Sequence, residues 1–282
     1  MDQSPIAVKE YENFRRYLED ACGIVLGDNK HYLVTSRLKR VTEEFDFPSL
    51  SEMMSTLVKG NDRRLREKVI DAMTTNETMW FRDVYPFEIL KKELLPELAA
   101  KRTPVRIWSA ASSSGQEAYS ISMSISEFQQ SNPGKLSSSV EIVGTDISQT
   151  VVNQAKQGMY DELSVVRGLS TERRDKFFRK TDDKWVIAPD IMQRTRFTEL
   201  NLLNNYSLLG KFDIIFCRNV LIYFSSEMKK DILERMGQIL KPGGTLILGG
   251  SESPTGYTKA FMMQRYPDGV VYRLNDAIPP LK

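Results

Sequence analysis

Short apolar segments alternate with helical patterns along residues 105–248, and this alternation restricts the possible fold more than any other feature of the chain. Four segments have the length and composition of buried strands: VRIW at 105–108, VEIVG at 140–144, FDIIFC at 212–217 and TLIL at 245–248. Helical patterns separate them near 148–158 and 226–240. This order is typical of a parallel, doubly wound α/β sheet with helices on both faces.

Two further segments complete this domain. Phe261–Arg265 and Gly269–Leu274, joined by YPDG, predict a C-terminal β-hairpin. A hairpin that closes an α/β sheet is the class I methyltransferase arrangement, whereas dinucleotide-binding folds usually lack it. Between Met159 and about Phe197, a short helix near 171–178 and the alternating segments 184–188 and 194–197 predict a small antiparallel β insert.

The first 75 residues have a different pattern. Val8, Tyr11, Phe14 and Leu18 recur at spacings of three and four, as on one face of a helix. Further helices are predicted near 30–45, from Ser49 to about 58, and from 62 to 73. We therefore expect an all-α domain over 1–75 and an α/β domain over 76–282.

Composition excludes several functions. The net charge of the 282 residues is only +2, which argues against nucleic acid as a partner. No apolar run is long enough to span a bilayer, and the polar N-terminus does not look like a secretory signal, so we expect no membrane insertion. A single histidine, His31, excludes multi-histidine metal sites, and no metal is predicted. Two distant cysteines indicate no disulfide framework, so the cytoplasm is the simplest compartment.

The turn after the first strand, SAASSSG at 109–115, predicts a ligand site. Small residues let a ligand approach the backbone, but the turn lacks the G-x-G-x-x-G that a dinucleotide pyrophosphate requires. Glu117 could contact a cationic group of the ligand, or it could simply favour the helix N-terminus. Asp146 follows the second strand, where a carboxylate can accept hydrogen bonds from both ribose hydroxyls or can cap the next helix.

Two polar segments adjoin this turn in the predicted fold. Residues 217–224, CRNVLIYF, leave the carboxyl end of a strand, where open α/β sheets bind ligands. Within them Tyr223 could face a sulfonium or could be an ordinary core tyrosine. Residues 74–82, TTNETMWFR, lie at the domain junction and could be either a ligand-binding segment or a linker.

Taken in order, these segments resemble the chemotaxis receptor methyltransferase family. The matching stretches are TTNETMWFRD, SSSGQEAYS, VGTDIS, NLL, FDIIFCRNVLIYF and LKPGGTLILGGSE. They come in the family's order and follow a helical N-terminal domain, so the resemblance covers essentially the whole chain, and the first and fifth stretches are specific as a pair. The resemblance implies a class I methyltransferase domain that uses S-adenosylmethionine, releases S-adenosylhomocysteine, and converts glutamates on receptor cytoplasmic helices to methyl esters.

The resemblance also implies roles for individual residues. It places Arg82 and Tyr223 beside the reacting methyl group. It implies cofactor contacts from Asn76, Thr78, Arg82, Glu117, Asp146, Asn201, Leu202, Arg218 and Asn219. Two departures from the family pattern stand out: Gln116 and Ala118 replace Glu and Pro in the turn, and only four residues, TDDK, connect the insert's two segments at 181–184. Relatives that grip a receptor C-terminal peptide look longer there, so we expect no C-terminal pentapeptide tether.

A basic stretch provides a candidate surface for the receptor. Lys30, Arg37, Lys39 and Arg40 lie in a run without acidic residues, whereas receptor methylation helices must carry several glutamates. We therefore predict that Arg37, Lys39 and Arg40 contact the receptor. The simpler interpretation is a solvated helix face. Two rival functions also remain at this point: a methyltransferase acting on RNA or a small molecule, and a non-catalytic module that binds adenosylmethionine.

Overall fold

The computed structural model describes residues 6–60 and 62–277, and the chain divides into two compact units. The smaller unit comprises Met1–Thr75 together with Tyr223–Met228. The larger unit comprises Asn76–Ile222 and Lys229–Lys282.

Four helices make up the described N-terminal part of the smaller unit: α1 (Val8–Cys22), α2 (His31–Glu44), α3 (Leu50–Lys59) and α4 (Arg63–Met73). Ser49 caps α3, since its side chain accepts a hydrogen bond from the Glu52 amide, and Asp62 caps α4 in the same way. Each helix buries one apolar stripe. Phe14, Leu38 and Leu65 are fully buried in three different helices, so tertiary packing stabilises these short segments.

The larger unit contains the remaining elements. Its helical segments are α5 (Tyr85–Ile89), α6 (Leu95–Lys101), α7 (Gln116–Ser131), α8 (Gln149–Gln157), α9 (Glu162–Val166), α10 (Thr171–Phe177), α11 (Pro189–Met192) and α12 (Ser226–Ile239), of which the first three residues of α12 belong to the smaller unit. Its strands are β1 (Val105–Ala110), β2 (Val140–Asp146), β3 (Met159–Tyr160), β4 (Phe178–Thr181), β5 (Lys184–Ile187), β6 (Thr195–Glu199), β7 (Phe212–Cys217), β8 (Leu240–Leu248), β9 (Phe261–Tyr266) and β10 (Gly269–Leu274).

Seven strands form the main sheet, in the order β6-β2-β1-β7-β8-β10-β9. The first five are parallel, and the β9–β10 hairpin adds two antiparallel strands beside β8. Ala110 pairs with both Thr145 and Cys217, and Cys217 pairs with Leu248. The carboxyl ends of β1, β2, β7 and β8 therefore lie side by side, which is where open α/β sheets bind ligands. The predicted doubly wound sheet closed by a C-terminal hairpin is confirmed.

The core of this unit explains why its strands are continuous apolar runs. Every residue of β7 is buried, because helices cover both faces of the sheet. Ile107, Ile214 and Ile247 come from three strands and are almost completely buried in one cluster. Burying each such side chain contributes roughly 1.5–3 kcal/mol.

The predicted boundary of the β insert was wrong at its C-terminal end. The insert is a three-stranded sheet of order β3-β5-β4. The segment 194–197, expected within it, instead forms β6 at the edge of the main sheet, parallel to β2. The ring of Phe197 lies over Gly144 and next to the ring of Tyr119, 5.3 Å between centroids. Because a Cβ at Gly144 would lie 2.5 Å from that ring, only glycine lets β6 pack here.

Two further elements differ from the sequence-based expectation. LKPGG was interpreted as a turn before a strand, but β8 already begins at Leu240 and Gly243 adopts a φ of +67° within it. Residues 85–101, for which nothing was predicted, form α5, a π-helical turn at Leu90–Leu94, and α6. Pro86 and Pro96 fall near the starts of α5 and α6 and obscure the helical pattern. Among the described residues, no helix is both long and apolar enough to cross a membrane.

Candidate active site

The loop between β1 and α7 turns sharply at the carboxyl edge of the sheet. Ala111, Ser113 and Gly115 all have positive φ angles, of 54°, 51° and 95°. The Ser112 amide donates to the Thr145 carbonyl at 2.8 Å, which ties this loop to the end of β2. Such backbone geometry is costly for residues other than glycine and is typical of ligand-binding loops.

Asp146 occupies the end of β2 and is buried. One of its carboxylate oxygens accepts a hydrogen bond from the Ser113 amide at 2.8 Å, and the other accepts one from the Ser148 amide at 3.0 Å. Asp146 is not the N-cap of α8, because Ser148 takes that position and accepts from the Val151 amide. The carboxylate is thus held in a fixed orientation by backbone donors from two loops.

Glu117 and Arg218 form a buried ion pair next to this loop. The Arg218 Nη1 lies 2.9 Å from Glu117 Oε2, and the Ser109 hydroxyl donates to Glu117 Oε1 at 2.8 Å. The Arg218 Nη2 donates to Asp83 Oδ2 at 2.8 Å and to the Arg82 carbonyl at 2.7 Å. Only 1% of the Arg218 side chain is exposed, so its charge must be balanced locally. Arg218 therefore connects β7, α7 and the segment around Arg82.

The segment from Asn76 to Val84 is anchored within the larger unit. The Ser113 hydroxyl donates to the Asn76 carbonyl at 2.9 Å, and the Phe81 amide donates to the Ser120 hydroxyl at 3.1 Å. Phe81, Asp83 and Val84 have positive φ angles of 47°, 65° and 53°. Three strained residues so close together need firm support from their surroundings. This segment is therefore not merely a linker.

The side chains of Thr78 and Arg82 in this segment are half-buried. The Arg82 guanidinium makes one long contact, 3.5 Å to the Glu77 carbonyl, and forms no ion pair with any described residue. Trp80 beside them is fully buried, and its indole nitrogen donates to the Ser164 carbonyl of α9 at 2.9 Å. The insert thus helps to hold this segment in place.

Asn201 and Leu202 follow β6 at the same edge of the sheet. The Leu200 amide donates to the Asp146 carbonyl at 2.8 Å, which joins this loop to the end of β2. Asn201 Oδ1 accepts from the Leu203 amide at 3.0 Å, and the buried Leu202 carbonyl accepts from Arg235 at 2.9 Å. The loop that carries the two residues is therefore tied to the end of β2, where Asp146 lies.

Two carboxylates at this edge were missed by sequence reasoning. Asp83 binds Arg218, as described above, and Glu252 accepts backbone hydrogen bonds from the turn at Asn219. Both lie inside stretches already recognised as motifs, TTNETMWFRD and LKPGGTLILGGSE. The two motifs could therefore have pointed to these carboxylates, but the motif sequences alone do not say what each position does.

Comparison with known proteins identifies the family to which this chain belongs. The family description "CheR methyltransferase, SAM binding domain" matches residues 76–270, and "CheR methyltransferase, all-alpha domain" matches residues 9–74. The chain is 52% identical over 270 residues to a chemotaxis protein methyltransferase of Vibrio anguillarum, covering 95% of this chain and 98% of that one. Chemotaxis protein methyltransferase 1 of Pseudomonas aeruginosa is 51% identical over 267 residues, covering 94% and 97%.

This chain belongs to the CheR methyltransferase family. Membership confirms the family resemblance found in the sequence. It also confirms the predicted methyltransferase activity and the use of S-adenosylmethionine as cofactor. A third relative, chemotaxis protein methyltransferase 1 of Vibrio cholerae, is 53% identical over 270 residues, covering 95% of this chain and 98% of that one.

The polar atoms at the edge of the sheet fit the cofactor of a CheR methyltransferase. Ser112 Oγ, Arg218 Nε and Asn219 Oδ1 are buried without a hydrogen-bond partner, and all three belong to loops that follow β1 or β7. Buried polar atoms left unpaired are costly, so these three are suited to a polar ligand. The described charged groups at this edge are four carboxylates and three guanidinium groups, and this excess of negative charge favours a cofactor with a cationic sulfonium. The carboxylates are those of Asp83, Glu117, Asp146 and Glu252, and the guanidinium groups are those of Arg82, Arg218 and Arg235.

Cys217 is the only thiol among the described residues of the larger unit, and its environment makes it unreactive. Burial raises the pKa of the Cys217 thiol well above its usual range, and the neighbouring Glu252 and Glu117 carboxylates raise it further. The thiol therefore stays protonated at neutral pH and is neither a nucleophile nor a base. No described residue of this unit is a histidine, and the described residues contain no cluster suited to a metal ion.

The remaining predicted site residues belong to the smaller, helical unit. Tyr223 is half-buried there, and its carbonyl accepts a hydrogen bond from the Val25 amide at 2.9 Å. Lys39 and Arg40 are exposed on α2. Arg37 differs, because its guanidinium donates to the carbonyls of Met73 and Thr74 at the C-terminal end of α4, at 2.7 and 3.1 Å. Its charge thus already stabilises a helix end.

Proposed function

We propose that this methyltransferase transfers the methyl group of S-adenosylmethionine to glutamate side chains on the cytoplasmic helices of chemoreceptors. The products are glutamate methyl esters, which serve sensory adaptation in chemotaxis, and S-adenosylhomocysteine. The names of the relatives support the link to chemotaxis. The choice of a carboxylate as substrate is supported by one observation: the described residues of the catalytic unit include no histidine, and their one thiol, Cys217, stays protonated.

A carboxylate substrate needs no base. Glutamate has an ordinary pKa of about 4.3 and is ionised at neutral pH. Its oxygen attacks the methyl carbon, the carbon–sulfur bond breaks, and the electron pair of that bond stays on sulfur; no proton is transferred. The protein then accelerates the reaction by positioning two substrates, an effect worth up to about 7–11 kcal/mol.

The residues at the edge of the sheet would divide the binding of the cofactor among them. We assign the ribose hydroxyls to Asp146 and the amino group of the methionine moiety to Glu117, with Arg218 holding Glu117 in place. The other proposed cofactor contacts come from the loop after β6, from the turn after β7 and from the junction: Asn201, Leu202, Asn219, Asn76 and Thr78.

Arg82 and Tyr223 are the proposed catalytic residues. Arg82 has no carboxylate partner among the described residues, so its guanidinium is available to orient the substrate glutamate by a charge-assisted, bidentate contact. The ring of Tyr223 would face the sulfonium methyl group, where an aromatic face is favourable for a cation. These two roles rest on the family resemblance and on the chemistry of the side chains.

The helical domain, residues 1–75, is proposed to recognise the receptor. Lys39 and Arg40 are exposed and have no acidic partner among the described residues, as a surface for a glutamate-rich helix requires. Arg37 belongs to the same proposed surface, although it also contacts the end of α4. Charged surfaces of this kind mainly raise the association rate. Salt screens their attraction, with a Debye length of about 8–10 Å at physiological ionic strength.

The receptor would be bound without a C-terminal pentapeptide tether. This proposal rests on the short connection between β4 and β5, where only Asp182 and Asp183 separate the two strands. Asp182 adopts a φ of +50°, as tight hairpin turns require. No additional backbone is available in this turn to pair with a peptide.

One experiment separates this proposal from its rivals. The purified protein is incubated with methyl-labelled adenosylmethionine and one of three acceptors: a receptor cytoplasmic fragment, RNA, or a small-molecule extract. We expect label in the receptor fragment alone, released as volatile methanol by mild alkali, because esters hydrolyse and N-methyl groups do not. A fragment with its methylation glutamates changed to glutamine is the control and should stay unlabelled. Alkali-stable label, or label in RNA, would contradict the proposal, and cofactor binding without transfer would indicate a non-catalytic module.

A further inference from the structure

Glu252 lies in the turn after β8, and its buried carboxylate joins two loops at the cofactor edge of the sheet. Its Oε2 accepts hydrogen bonds from the amides of Asn219 and Gly249, at 2.6 and 2.8 Å. Its Oε1 accepts one from the Val220 amide at 3.1 Å. Because β7 and β8 are neighbouring parallel strands, this one side chain fixes the two loops that leave them.

Gly249 lies against both the carboxylate and the turn that the carboxylate holds. A Cβ added at Gly249 would lie 2.6 Å from Glu252 Oε2 and 3.0 Å from the Asn219 backbone nitrogen, so a side chain there would force the carboxylate or the turn to shift. The Glu252 amide donates back to the Gly249 carbonyl at 2.9 Å, which closes the turn around the carboxylate. No described residue forms an ion pair with Glu252, so backbone N–H groups alone hold its charge.

The residue that this carboxylate holds is itself strained. Asn219 has a φ of +58°, in the left-handed region, and its Oδ1 is buried without a partner. A strained conformation persists only when surrounding contacts enforce it. Here the contacts come from Glu252, and they determine where the Asn219 amide group points.

We infer that Glu252 is a positioning residue for methyl transfer, which acts on the cofactor through Asn219. The inference rests on the proposed contact between Asn219 and adenosylmethionine. Glu252 itself touches neither substrate. Its carboxylate keeps the turn of Asn219 and Val220 in the one geometry that presents the Asn219 amide to the cofactor.

The test is a double-mutant cycle on cofactor affinity, measured by calorimetry with adenosylmethionine. Asn219→Ala and Glu252→Ala should each weaken binding by about tenfold or more, since each removes the same contact. In the Asn219→Ala background, Glu252→Ala should then cost about twofold or less. Glu252→Gln keeps the shape of the side chain and one acceptor oxygen, so it should retain most of the affinity for adenosylmethionine. It serves as a second variant in case Glu252→Ala does not fold.

Asp213→Asn is the matched control. Asp213 is also buried and also accepts a backbone hydrogen bond, from the Arg106 amide at 2.8 Å, but it lies at the opposite end of β7. This variant should leave the cofactor affinity and the KM for cofactor unchanged. Glu252→Ala should raise the KM for cofactor more than the KM for receptor.

The outcomes distinguish this inference from the assignment on which it rests. If Asn219→Ala leaves cofactor affinity unchanged, the proposed Asn219 contact is wrong, and the role of Glu252 is wrong with it. If Asn219→Ala weakens binding and Glu252→Ala does not, only the inference about Glu252 is overturned. Additive effects in the cycle would also overturn it, because Glu252 would then act independently of Asn219.

Discussion

The buried cluster around Arg218 allows a prediction of stability that can be worked from the structure. Arg218→Met removes the cation that balances Glu117, whose side chain is only 14% exposed. Breaking a buried ion pair by deleting one partner costs about 3–5 kcal/mol. Asp83 is 42% exposed, so water screens its charge, and losing its ion pair with Arg218 should cost under about 1 kcal/mol of unfolding free energy. We therefore expect the variant to lose about 3 kcal/mol of unfolding free energy.

Tryptophan fluorescence during urea unfolding is the suitable assay. All three tryptophans, Trp80, Trp108 and Trp185, lie in the larger unit, so the signal reports the unit that contains Arg218. Arg196→Met is the matched control. Arg196 pairs with Glu141 but is 70% exposed, and its loss should cost under about 1 kcal/mol.

A double variant tests whether the cost arises from the uncompensated charge. Combining Arg218→Met with Glu117→Gln removes both charges, so we expect the pair to cost at least about 1 kcal/mol less than the two single effects added together. Equal stability of Arg218→Met and the wild-type protein would refute the reasoning. Strict additivity would show that Arg218 and Glu117 are not energetically coupled, despite the 2.9 Å contact.

Three further predictions concern function. Asp146→Ala should weaken adenosylmethionine binding by more than about tenfold in calorimetry, because contacts to two hydroxyls are lost; unchanged affinity would remove Asp146 from the site. Arg82→Ala and Tyr223→Leu should each lower turnover at saturating cofactor and receptor without changing the thermal melting temperature, because they remove the guanidinium and the aromatic face respectively; unchanged rates in both variants would contradict their catalytic roles. Reversing the charges of Lys39 and Arg40 to glutamate should raise the KM for receptor at low ionic strength and leave cofactor affinity unchanged, whereas normal receptor kinetics would leave this face as ordinary surface.

The receptor tail offers one more test. Without a tether, a peptide that copies the receptor C-terminus should show no binding in calorimetry at micromolar concentrations. Micromolar affinity would contradict the proposal drawn from the short turn at 181–184.

The sequence was a good guide wherever a local pattern carries the structural signal. The apolar run at 212–217 predicted a strand buried on both faces, and β7 spans the same residues. YPDG predicted the closing hairpin. The charged segment at 194–199 was harder, because TRFTE alternates like an insert strand, and only the pairing with β2 assigns it to the main sheet.

In the candidate site too, some features could be predicted from the sequence and others could not. The positions of Glu117 and Asp146 follow from the order of strands and turns, since side chains at the carboxyl ends of parallel strands meet at one edge. The partner of Glu117 does not follow from order. Arg218 is 101 residues away, and it was predicted as a ligand contact rather than as the cation that orients Glu117.

Sequence alone determined the class of this protein: a helical N-terminal segment, a doubly wound sheet closed by a hairpin, and motifs whose order matches a methyltransferase family. These features could be predicted because periodicity, turn residues and short motifs are each contained within a short stretch of sequence. Only the tertiary structure decided which charges balance one another and which polar atoms stay unpaired. Glu252 illustrates the reason: its partners at 219 and 220 lie 33 and 32 residues away, and a carboxylate bound by backbone amides leaves no mark in the identities of those residues.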